Sequence, residues 1–312
     1  MRRSLHFILT VFCAFSPSLA FGTVLFKETF EDQNFGSRGW YDAPSGTVTT
    51  AQHTGTGSTA SFECHVLQGA QGCAGGNPAR HAFTATETLY VDYWVKYSVA
   101  NQTSLGSHLF YVLTDVDPAF SGLSSNHLTV YVEQDTGHQQ LRIQDAANID
   151  QNRIGVNLVG ITENRGLAGC NGQSDAANHY VSGPYSDGDC FATPRVNGRT
   201  YREVNQPMTF TDTNWHHVEA YMKMNTLVSG IGQQNGELRV IVDGQVIFDY
   251  TDVVLRTGAH PTAKFNQFIV GTYIGAGSPV DQYFWIDDLK VMTVPPSADV
   301  TPPSPPQNLR VL

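Results

Sequence analysis

Beyond its first twenty residues the sequence has no long apolar run, and no stretch there approaches the roughly 18 apolar residues that a membrane-spanning helix needs. We therefore expect no membrane insertion. Residues 1–20 hold Arg2 and Arg3, an apolar segment from Leu5 to Phe15, and the small-residue exit Ser18-Leu19-Ala20. Because this layout is typical of a cleaved signal peptide, the sequence predicts a secreted protein, extracellular or periplasmic.

Positive charge is also scarce: 18 Lys and Arg stand against 28 Asp and Glu, which gives a formal net charge of -10. A chain with a net negative charge is a poor partner for nucleic acid or for an anionic membrane surface. It does not exclude an acidic polysaccharide as partner, because a few arginines in a groove can outweigh a distant acidic surface.

Cysteines are few, and Cys13 leaves with the signal peptide. The remaining four, Cys64, Cys73, Cys170 and Cys190, are an even count in an oxidising compartment and allow three disulfide pairings. We favour Cys64–Cys73 and Cys170–Cys190, because each pair closes a short Gly-rich loop. Neither pair has the two-residue spacing of a zinc knuckle.

Helical periodicity is absent after the signal peptide, whereas period-two alternation of apolar and polar residues recurs along the chain. Ten short strands with Gly, Asn and Asp between them predict an all-β sandwich or barrel. The predicted strands are Val24–Phe30, Thr88–Val99, His108–Thr114, Leu128–Glu133, Gln140–Gln144, His217–Asn225, Glu237–Val242, Gln245–Tyr250, Phe265–Tyr273 and Tyr283–Val291.

Two hairpins can be placed. Asp243-Gly244 is a strong two-residue turn signal. Thr136-Gly137 predicts a second turn, and a two-residue loop there pairs Tyr131 with Arg142. The same register also pairs Thr129 with Gln144 and Glu133 with Gln140, so one face of this hairpin is apolar and the other is polar.

Alternation fails from about residue 146 to residue 207, which is far longer than loops in compact domains usually are. This insertion is either a functional excursion or a disordered segment, and its own Cys170 and Cys190, with His179 and Tyr180, favour an ordered excursion. We expect one domain over residues 21–293. Residues 294–312 carry six prolines within Pro295–Pro306 and predict a stiff linker, through which further domains would be attached.

The segment from Trp215 to Val291 resembles the C-terminal half of concanavalin A-like jelly rolls, in particular the alginate and glucuronan lyases of that fold. The matching stretches are Asn214–Glu219, Lys223-Met224-Asn225, Asn235–Leu238, Val242-Asp243-Gly244, Gly271–Gly275 and Trp285–Val291. The resemblance implies a jelly-roll sandwich of two antiparallel sheets with a long irregular insertion. Laminin G-like modules share this skeleton.

In such folds an early strand pairs with the last one, so residues 26–31 would meet residues 286–291. That places Glu31 near Asp287 or Asp288, and oxygen ligands of this kind suit a structural calcium ion. The alternative is that these are solvated carboxylates at a sheet end. Apart from this calcium ion, no cofactor is expected.

Hydrolases with this fold carry a Glu-x-Asp-x-x-Glu strand, and that spacing is absent here. Glu219 is expected to stand alone, with no second carboxylate beside it. Hydrolysis is therefore disfavoured. Cleavage of a uronate polymer by β-elimination instead needs a cation for the carboxylate, a base and an acid. Tyr131 is the predicted acid or base and Arg142 the predicted cation, with His127 beside them. The predicted substrate contacts are Thr129, Gln140, Gln144, His108, His179 and Tyr180.

Three hypotheses follow from these residues and this resemblance. The leading one is a secreted lyase that cleaves an acidic, uronate-containing polysaccharide. The second is a non-catalytic laminin G-like module for carbohydrate binding or adhesion, and the third is a structural envelope protein. For the polar face itself the alternative is an ordinary solvated sheet surface, where Thr, Tyr, Gln and Arg are common cross-strand residues.

Overall fold

A computed structural model describes residues 22–41, 44–55, 57–76, 79–100, 107–114, 129–135, 138–144, 201–202, 210, 212–253, 255–256, 261–270 and 274–295. The predicted signal peptide, most of the predicted insertion with Cys170 and Cys190, and the proline-rich tail lie outside these residues. Within this part of the chain no helix has the length and hydropathy that crossing a membrane requires.

Strands dominate the described residues, together with one 3-10 turn at Phe35–Arg38. The strands are β1 (Val24–Glu28), β2 (Trp40–Tyr41), β3 (Thr47–Thr49), β4 (Ser61–Val66), β5 (Ala79–Thr86), β6 (Thr88–Tyr97), β7 (Ser107–Thr114), β8 (Thr129–Asp135), β9 (His138–Gln144), β10 (Tyr201–Arg202), β11 (Trp215–Lys223), β12 (Leu227–Val228), β13 (Ile231–Gly232), β14 (Gly236–Val242), β15 (Gln245–Val253), β16 (Phe265–Val270) and β17 (Gln282–Met292).

Two antiparallel sheets form the sandwich. Sheet A has the order β15-β14-β11-β6-β17-β4-β3, and β1 also pairs with β17. Sheet B has the order β10-β9-β8-β7-β16-β5-β2, and β12 with β13 forms a small separate ladder. Because sequence neighbours are often separated within the sheets, the chain crosses between them repeatedly, as a jelly roll requires.

The core lies between the two sheets and is built by alternation along each strand. In β6, Val91, Tyr93 and Val95 are buried, while the residues between them are partly exposed. Tyr93 of sheet A meets Phe110 of sheet B edge to face, with ring centroids 6.4 Å apart. Each large apolar side chain buried in this way contributes about 1.5–3 kcal/mol, so the alternation fixes which face of each sheet points inward.

All ten predicted strands are confirmed, with ends shifted by a few residues. β14 and β15 flank Asp243-Gly244, where both residues have positive φ, 50° and 76°. Asp243 stabilises this turn further, because its carboxylate accepts hydrogen bonds from the backbone N–H of His217 (2.9 Å) and contacts Nδ1 of His216 (2.7 Å). β1 pairs with β17 in the expected manner, with Phe26 opposite Val291.

The sequence-based assignment missed the short strands β2, β3, β10, β12 and β13, and also the longer strands β4 and β5. β4 and β5 carry Cys, His and Arg in positions that an alternating pattern usually gives to simple apolar or polar residues. Pairing with β17 and with β16 holds these two strands in the sheets, so tertiary contacts override a weak local signal.

The predicted Cys64–Cys73 disulfide is confirmed, with the two Cα atoms 5.0 Å apart. Cys64 is buried on the core face of β4, and Cys73 lies in the loop that follows. That loop is also tied to residues 274–281 by backbone hydrogen bonds between Gly69 and Ser278 and between Ile274 and Gln71. The disulfide therefore anchors one end of the sandwich.

Asn225, part of the family-like segment, has a structural role. Its fully buried side chain accepts hydrogen bonds from the backbone N–H groups of Leu255 (2.8 Å) and Arg256 (2.7 Å) and donates one to the Arg256 carbonyl oxygen (2.8 Å). It thus satisfies backbone groups that would otherwise be buried without partners.

The expectation that Glu219 stands alone is wrong. The register of β11 with β6 places Asp92 directly opposite Glu219, and His217 lies between them, with Nε2 2.7 Å from Asp92 and Nδ1 3.8 Å from Glu219. Tyr90 donates its hydroxyl proton to Glu219. Because His217 and Tyr90 occupy both carboxylates, these residues form a hydrogen-bonded network on the outer face of sheet A.

This network predicts a pH-dependent stability. Burial lowers the pKa of His217, but the hydrogen bond and charge of Asp92, with Glu219 and Asp243, more than offset it and raise the pKa above the ordinary 6.5. When folding raises the pKa of a group, the group's contribution to the free energy of unfolding is complete below the pKa of the unfolded state. That contribution is lost as pH rises through the pKa of the folded state. We expect His217→Gln to lower the free energy of unfolding by about 1.5–3 kcal/mol near pH 5.5 and by less near about pH 8.5.

Urea unfolding at the two pH values measures this difference. The same substitution at His53, which is exposed in a loop, serves as control and should leave the pH profile of the parent unchanged. Equal destabilisation by His217→Gln at both pH values would contradict the charge-based role of His217.

Candidate functional site

The outer face of sheet B, turned away from the core, carries the predicted polar residues. Its inner face is identified by Phe110, Val112, Phe268 and Val270, which are buried in the core. Alternate residues on the same strands therefore belong to the outer face. We call this surface the arginine face and define it by its cross-strand rows.

Backbone pairing aligns three rows across the arginine face. The first row contains Arg142, Tyr131, Tyr111, Ile269, Arg80 and Tyr41. The second row contains Gln144, Thr129, Leu113, Gln267 and Ala82. The third row contains Arg202, Gln140, Glu133 and His108.

The predicted hairpin register is confirmed. Tyr131 lies opposite Arg142, Thr129 opposite Gln144, and Glu133 opposite Gln140. Directly opposed residues of an antiparallel pair have Cβ atoms about 4.5–5.5 Å apart. The pairing therefore puts the predicted acid or base and the predicted cation at directly opposed positions of β8 and β9.

The register brings His108 into the third row through an irregularity of β7, where His108 lies opposite Glu133 and Tyr111 opposite Tyr131. Arg202, at the end of the predicted insertion, joins the same row because β10 pairs with β9. His127, His179 and Tyr180, which were also predicted at this site, lie outside the described residues.

Sequence reasoning missed a polar cluster at the other end of the first two rows. Arg80 and Gln267 are buried, 7% and 2% exposed, although they belong to the outer face of a sheet. The Gln267 amide oxygen accepts a hydrogen bond from the Tyr41 hydroxyl (2.8 Å) and a longer one from Arg80 Nη1 (3.4 Å). The Gln267 amide nitrogen donates to the Thr114 carbonyl oxygen at 3.4 Å.

The sequence indicates this cluster only weakly. Arg80 precedes His81 in a strand that was not predicted, and Gln267 occupies a polar position in the predicted strand Phe265–Tyr273. His81 belongs to the inner face, since its ring stacks on Phe26 with centroids 3.8 Å apart. Because the side chains of β5 alternate, Arg80 belongs to the outer face.

The charge of the arginine face is opposite to that of the whole chain. The three rows align Arg80, Arg142 and Arg202 with one carboxylate, Glu133, and the next position on this face of β8 holds a second, Asp135. A guanidinium offers planar, paired N–H donors that match a carboxylate. An arrangement of arginines with tyrosine and amide groups can bind a uronate, neutralise its carboxylate and supply a phenol for proton transfer.

The three predicted calcium ligands all accept hydrogen bonds from the segment Thr54–Ser58. The Asp287 carboxylate accepts the Thr54 N–H (2.9 Å), Asp288 accepts the Thr54 hydroxyl (2.8 Å), and Glu31 accepts the Ser58 hydroxyl (3.0 Å). Burial and the charge of Asp288 raise the pKa of Asp287. Within the described residues no group of three or more His, Cys, Asp and Glu could hold a metal ion, so structural calcium stays a prediction without support from these carboxylates.

No protein-family model and no curated protein matches the sequence. Among solved structures, an alginate lyase from Chlorella virus is similar, with 13% identity, 87% of this chain and 100% of that chain covered, and a TM-score of 0.55. An alginate lyase from Aplysia kurodai has 13% identity, 87% and 100% coverage and a TM-score of 0.47. An endo-β-1,4-glucuronan lyase from Trichoderma reesei has 15% identity, 87% and 96% coverage and a TM-score of 0.43.

These likenesses concern the fold. Together with the two antiparallel sheets and their strand order, the likeness to the viral enzyme shows a jelly-roll sandwich, which confirms the predicted all-β fold. The identity is too low to transfer an activity, so function has to be argued from the arginine face itself.

Proposed function

We propose that this protein is a polysaccharide lyase that cleaves an acidic, uronate-containing glycan by β-elimination on the arginine face. The observation that carries the proposal is the first row, in which an arginine lies at or near each end and two tyrosines lie between them. A solvated sheet surface has no need of this alignment.

The dimensions of the row suit a polymer. Arg142 and Arg80 lie on strands β9 and β5, which are four strand spacings apart, and neighbouring strands lie about 4.7–4.9 Å apart. The two arginines are therefore separated by roughly 19 Å across the sheet. Such a separation exceeds one sugar unit, so the charge of the buried Arg80 would act on a different unit of the polymer from the one that Arg142 binds.

The proposed reaction uses groups of this chain alone. Arg142 pairs with the C6 carboxylate of the unit to be cleaved and stabilises the negative charge that develops when the C5 proton is removed. Tyr131, in its ionised form, takes the C5 proton and then gives that proton to the leaving glycosidic oxygen, which returns the phenolate to its starting state. The C4–O bond breaks, a C4–C5 double bond forms, and the proton count balances because the leaving oxygen is protonated.

Tyr41, held from beneath by the buried Gln267 and Arg80, would contact a second unit of the same polymer. Because Gln267 already fixes Tyr41 by a 2.8 Å hydrogen bond, this cluster is ordered before substrate binds. Pre-ordered donors lose little entropy on binding. Their role would be to position the chain rather than to take part in proton transfer.

Incubation of the purified protein with a panel of uronate polymers tests the proposal. We expect at least one polymer to give the ultraviolet absorbance of an unsaturated uronate, and neutral polymers to give none. If no polymer yields this product while one retards the protein in an affinity gel, the lyase proposal fails and a carbohydrate-binding module is the better description.

We also propose that the protein is exported, on the basis of the charged and apolar layout of residues 1–20. Expression of the full chain in a secreting host, followed by N-terminal sequencing of the exported product, tests this. The expected N-terminus lies close to Phe21, directly after Ala20. A product that keeps residues 1–20 would contradict cleavage.

A further inference from the structure

The outer face of sheet A is unusually rich in tryptophan. The chain has four tryptophans, and three of them, Trp94, Trp215 and Trp285, occupy outer positions of β6, β11 and β17. Their sequence neighbours Val95, His216 and Ile286 are buried. We call this surface the tryptophan face and include in it His65, His217, Tyr283 and Lys96.

The tryptophans are neighbours across the strands. Trp215 and Trp285 both lie opposite Lys96, one on each side, and Trp94 lies opposite His217. The Trp94 ring stacks on His217 with centroids 4.8 Å apart. Tyr283 lies between His65 and Trp285, and the three rings are nearly parallel, with interplanar angles of 10° and 8°. The aromatic groups thus occupy neighbouring positions across four strands, in two stacked groups with Lys96 between Trp215 and Trp285.

Polar contacts hold this surface in place. The Trp285 indole N–H donates to Glu63 (2.8 Å), and the Lys96 ammonium lies 5.8 Å from the centre of the Trp285 ring and donates to Gln52 (2.8 Å). Trp285 itself is 8% exposed and supports its neighbours, while Trp94, Trp215 and Tyr283 are partly exposed. A sheet face that turns fixed aromatic rings to solvent is characteristic of a binding surface.

The charges of the tryptophan face identify its ligand. Glu63, Asp92 and Glu219 lie among the rings, and Lys96, the imidazole of His217 and Lys290 opposite Asp92 lie beside them, so the two signs of charge are close to balance. Each of the three carboxylates already has a partner in Trp285, His217 or Tyr90, so the face offers no excess of positive charge that would attract a polyanion. The C–H faces of a pyranose ring bury apolar area against indole rings. The arginine face, on the opposite sheet, instead carries an excess of arginine over carboxylate.

From this contrast we infer that the tryptophan face binds a neutral polysaccharide, with Trp94 and Trp215 as its main contacts. The protein therefore has two glycan surfaces of different charge on opposite sheets. One holds a neutral chain, and the other faces the acidic polymer of the proposed function. The inference does not depend on that function, because it uses no residue of the arginine face.

Affinity gel electrophoresis with neutral polysaccharides, a soluble β-glucan, a xylan and a mannan, tests the inference. At least one of them should retard the parent protein, and Trp94→Ala with Trp215→Ala should weaken that binding by about tenfold or more, as for aromatic hot spots. Tyr221→Ala is the matched control, since Tyr221 is an outer-face aromatic of β11 away from the cluster, and it should retain binding.

Titration of the parent protein with the same polymer provides a measurement that needs no substitution, because a ligand on this face should change the tryptophan fluorescence. The inference is overturned if no neutral polymer retards the parent, or if the folded double variant binds as the parent does. It is also overturned if the tryptophan substitutions abolish a concentration-dependent dimer, since the face would then bind a second copy. Binding of a neutral polymer without cleavage of any uronate polymer would contradict the lyase proposal and leave this inference standing.

Discussion

Tyr131→Phe is expected to reduce the rate of unsaturated-product formation by at least about 100-fold, the lower end of what a positioned acid or base contributes. The substitution removes one hydroxyl group and keeps the ring, so strand pairing with Arg142 and Tyr111 should persist. Single-turnover and steady-state kinetics on the polymer found by the panel measure the effect. Because the hydroxyl acts in the chemical step, the loss should be in kcat rather than in KM.

Arg142→Gln should produce a loss of about 100–1000-fold in the same assay, since the guanidinium stabilises charge that develops in the transition state. Tyr201→Phe is a suitable control for Tyr131→Phe. Tyr201 lies on β10 of the same sheet, but its partner Leu141 belongs to the opposite face from Arg142. The control should keep the parent rate. Activity retained by Tyr131→Phe would remove Tyr131 from the mechanism, and activity lost equally in Tyr201→Phe would point to a general disturbance of sheet B.

Glu28→Ala is expected to destabilise the fold by about 2–5 kcal/mol, because two buried donors lose a charged acceptor at about 1–3 kcal/mol each. The Glu28 side chain is 1% exposed and accepts hydrogen bonds from Arg38 Nε (2.8 Å), from the Trp40 indole (2.8 Å) and from the Phe30 backbone N–H (2.7 Å). Removing the carboxylate leaves the Trp40 indole N–H and the Phe30 backbone N–H unsatisfied inside the protein, whereas Arg38 is partly exposed and still bonded to Asp32. The substitution also releases Phe30, whose φ of 53° is unusual for a residue with a large side chain.

Urea unfolding, followed by tryptophan fluorescence, measures this loss. Asp249→Ala is the matched control: its partner Arg239 is bonded to it at 2.9 Å, but the two side chains are 37% and 49% exposed. Exposed ion pairs of this kind contribute about 0–1 kcal/mol, so the control should unfold close to the parent. A loss below about 1 kcal/mol for Glu28→Ala would contradict the structural role given to that carboxylate, because a net loss of hydrogen bonds alone approaches this size.

Glu28 shows where sequence reasoning could have gone further. In β1, Phe26 and Glu28 share the inward face by alternation, so the pattern places a carboxylate where an apolar residue is expected. An acid at a core position implies a buried partner. The pattern could not name that partner, because Arg38 and Trp40 reach Glu28 only after the turn at Phe35–Arg38 returns the chain to it.

The arginine face likewise has one part that the sequence predicted and one part that it did not. Local information, the length of a two-residue turn and the period of two, determined that Tyr131 lies opposite Arg142. The cluster of Arg80, Gln267 and Tyr41 was out of reach, because its members come from three separate strands that meet only in the assembled sheet. Pairing of strands distant in sequence depends on the whole sandwich, not on any one segment.

The sequence alone determined four features: the absence of a long apolar run after residue 20, the alternation, the turn residues and the even number of cysteines. Each of them can be recognised or counted along the chain without knowing which strands pair. The tertiary structure decided which strands are neighbours. It therefore decided that arginines align on one sheet, that tryptophans align on the other, and that Glu219 has Asp92 opposite it. The physical reason is that an antiparallel register is fixed by burying one face of every strand at once, and this requirement involves all the strands together.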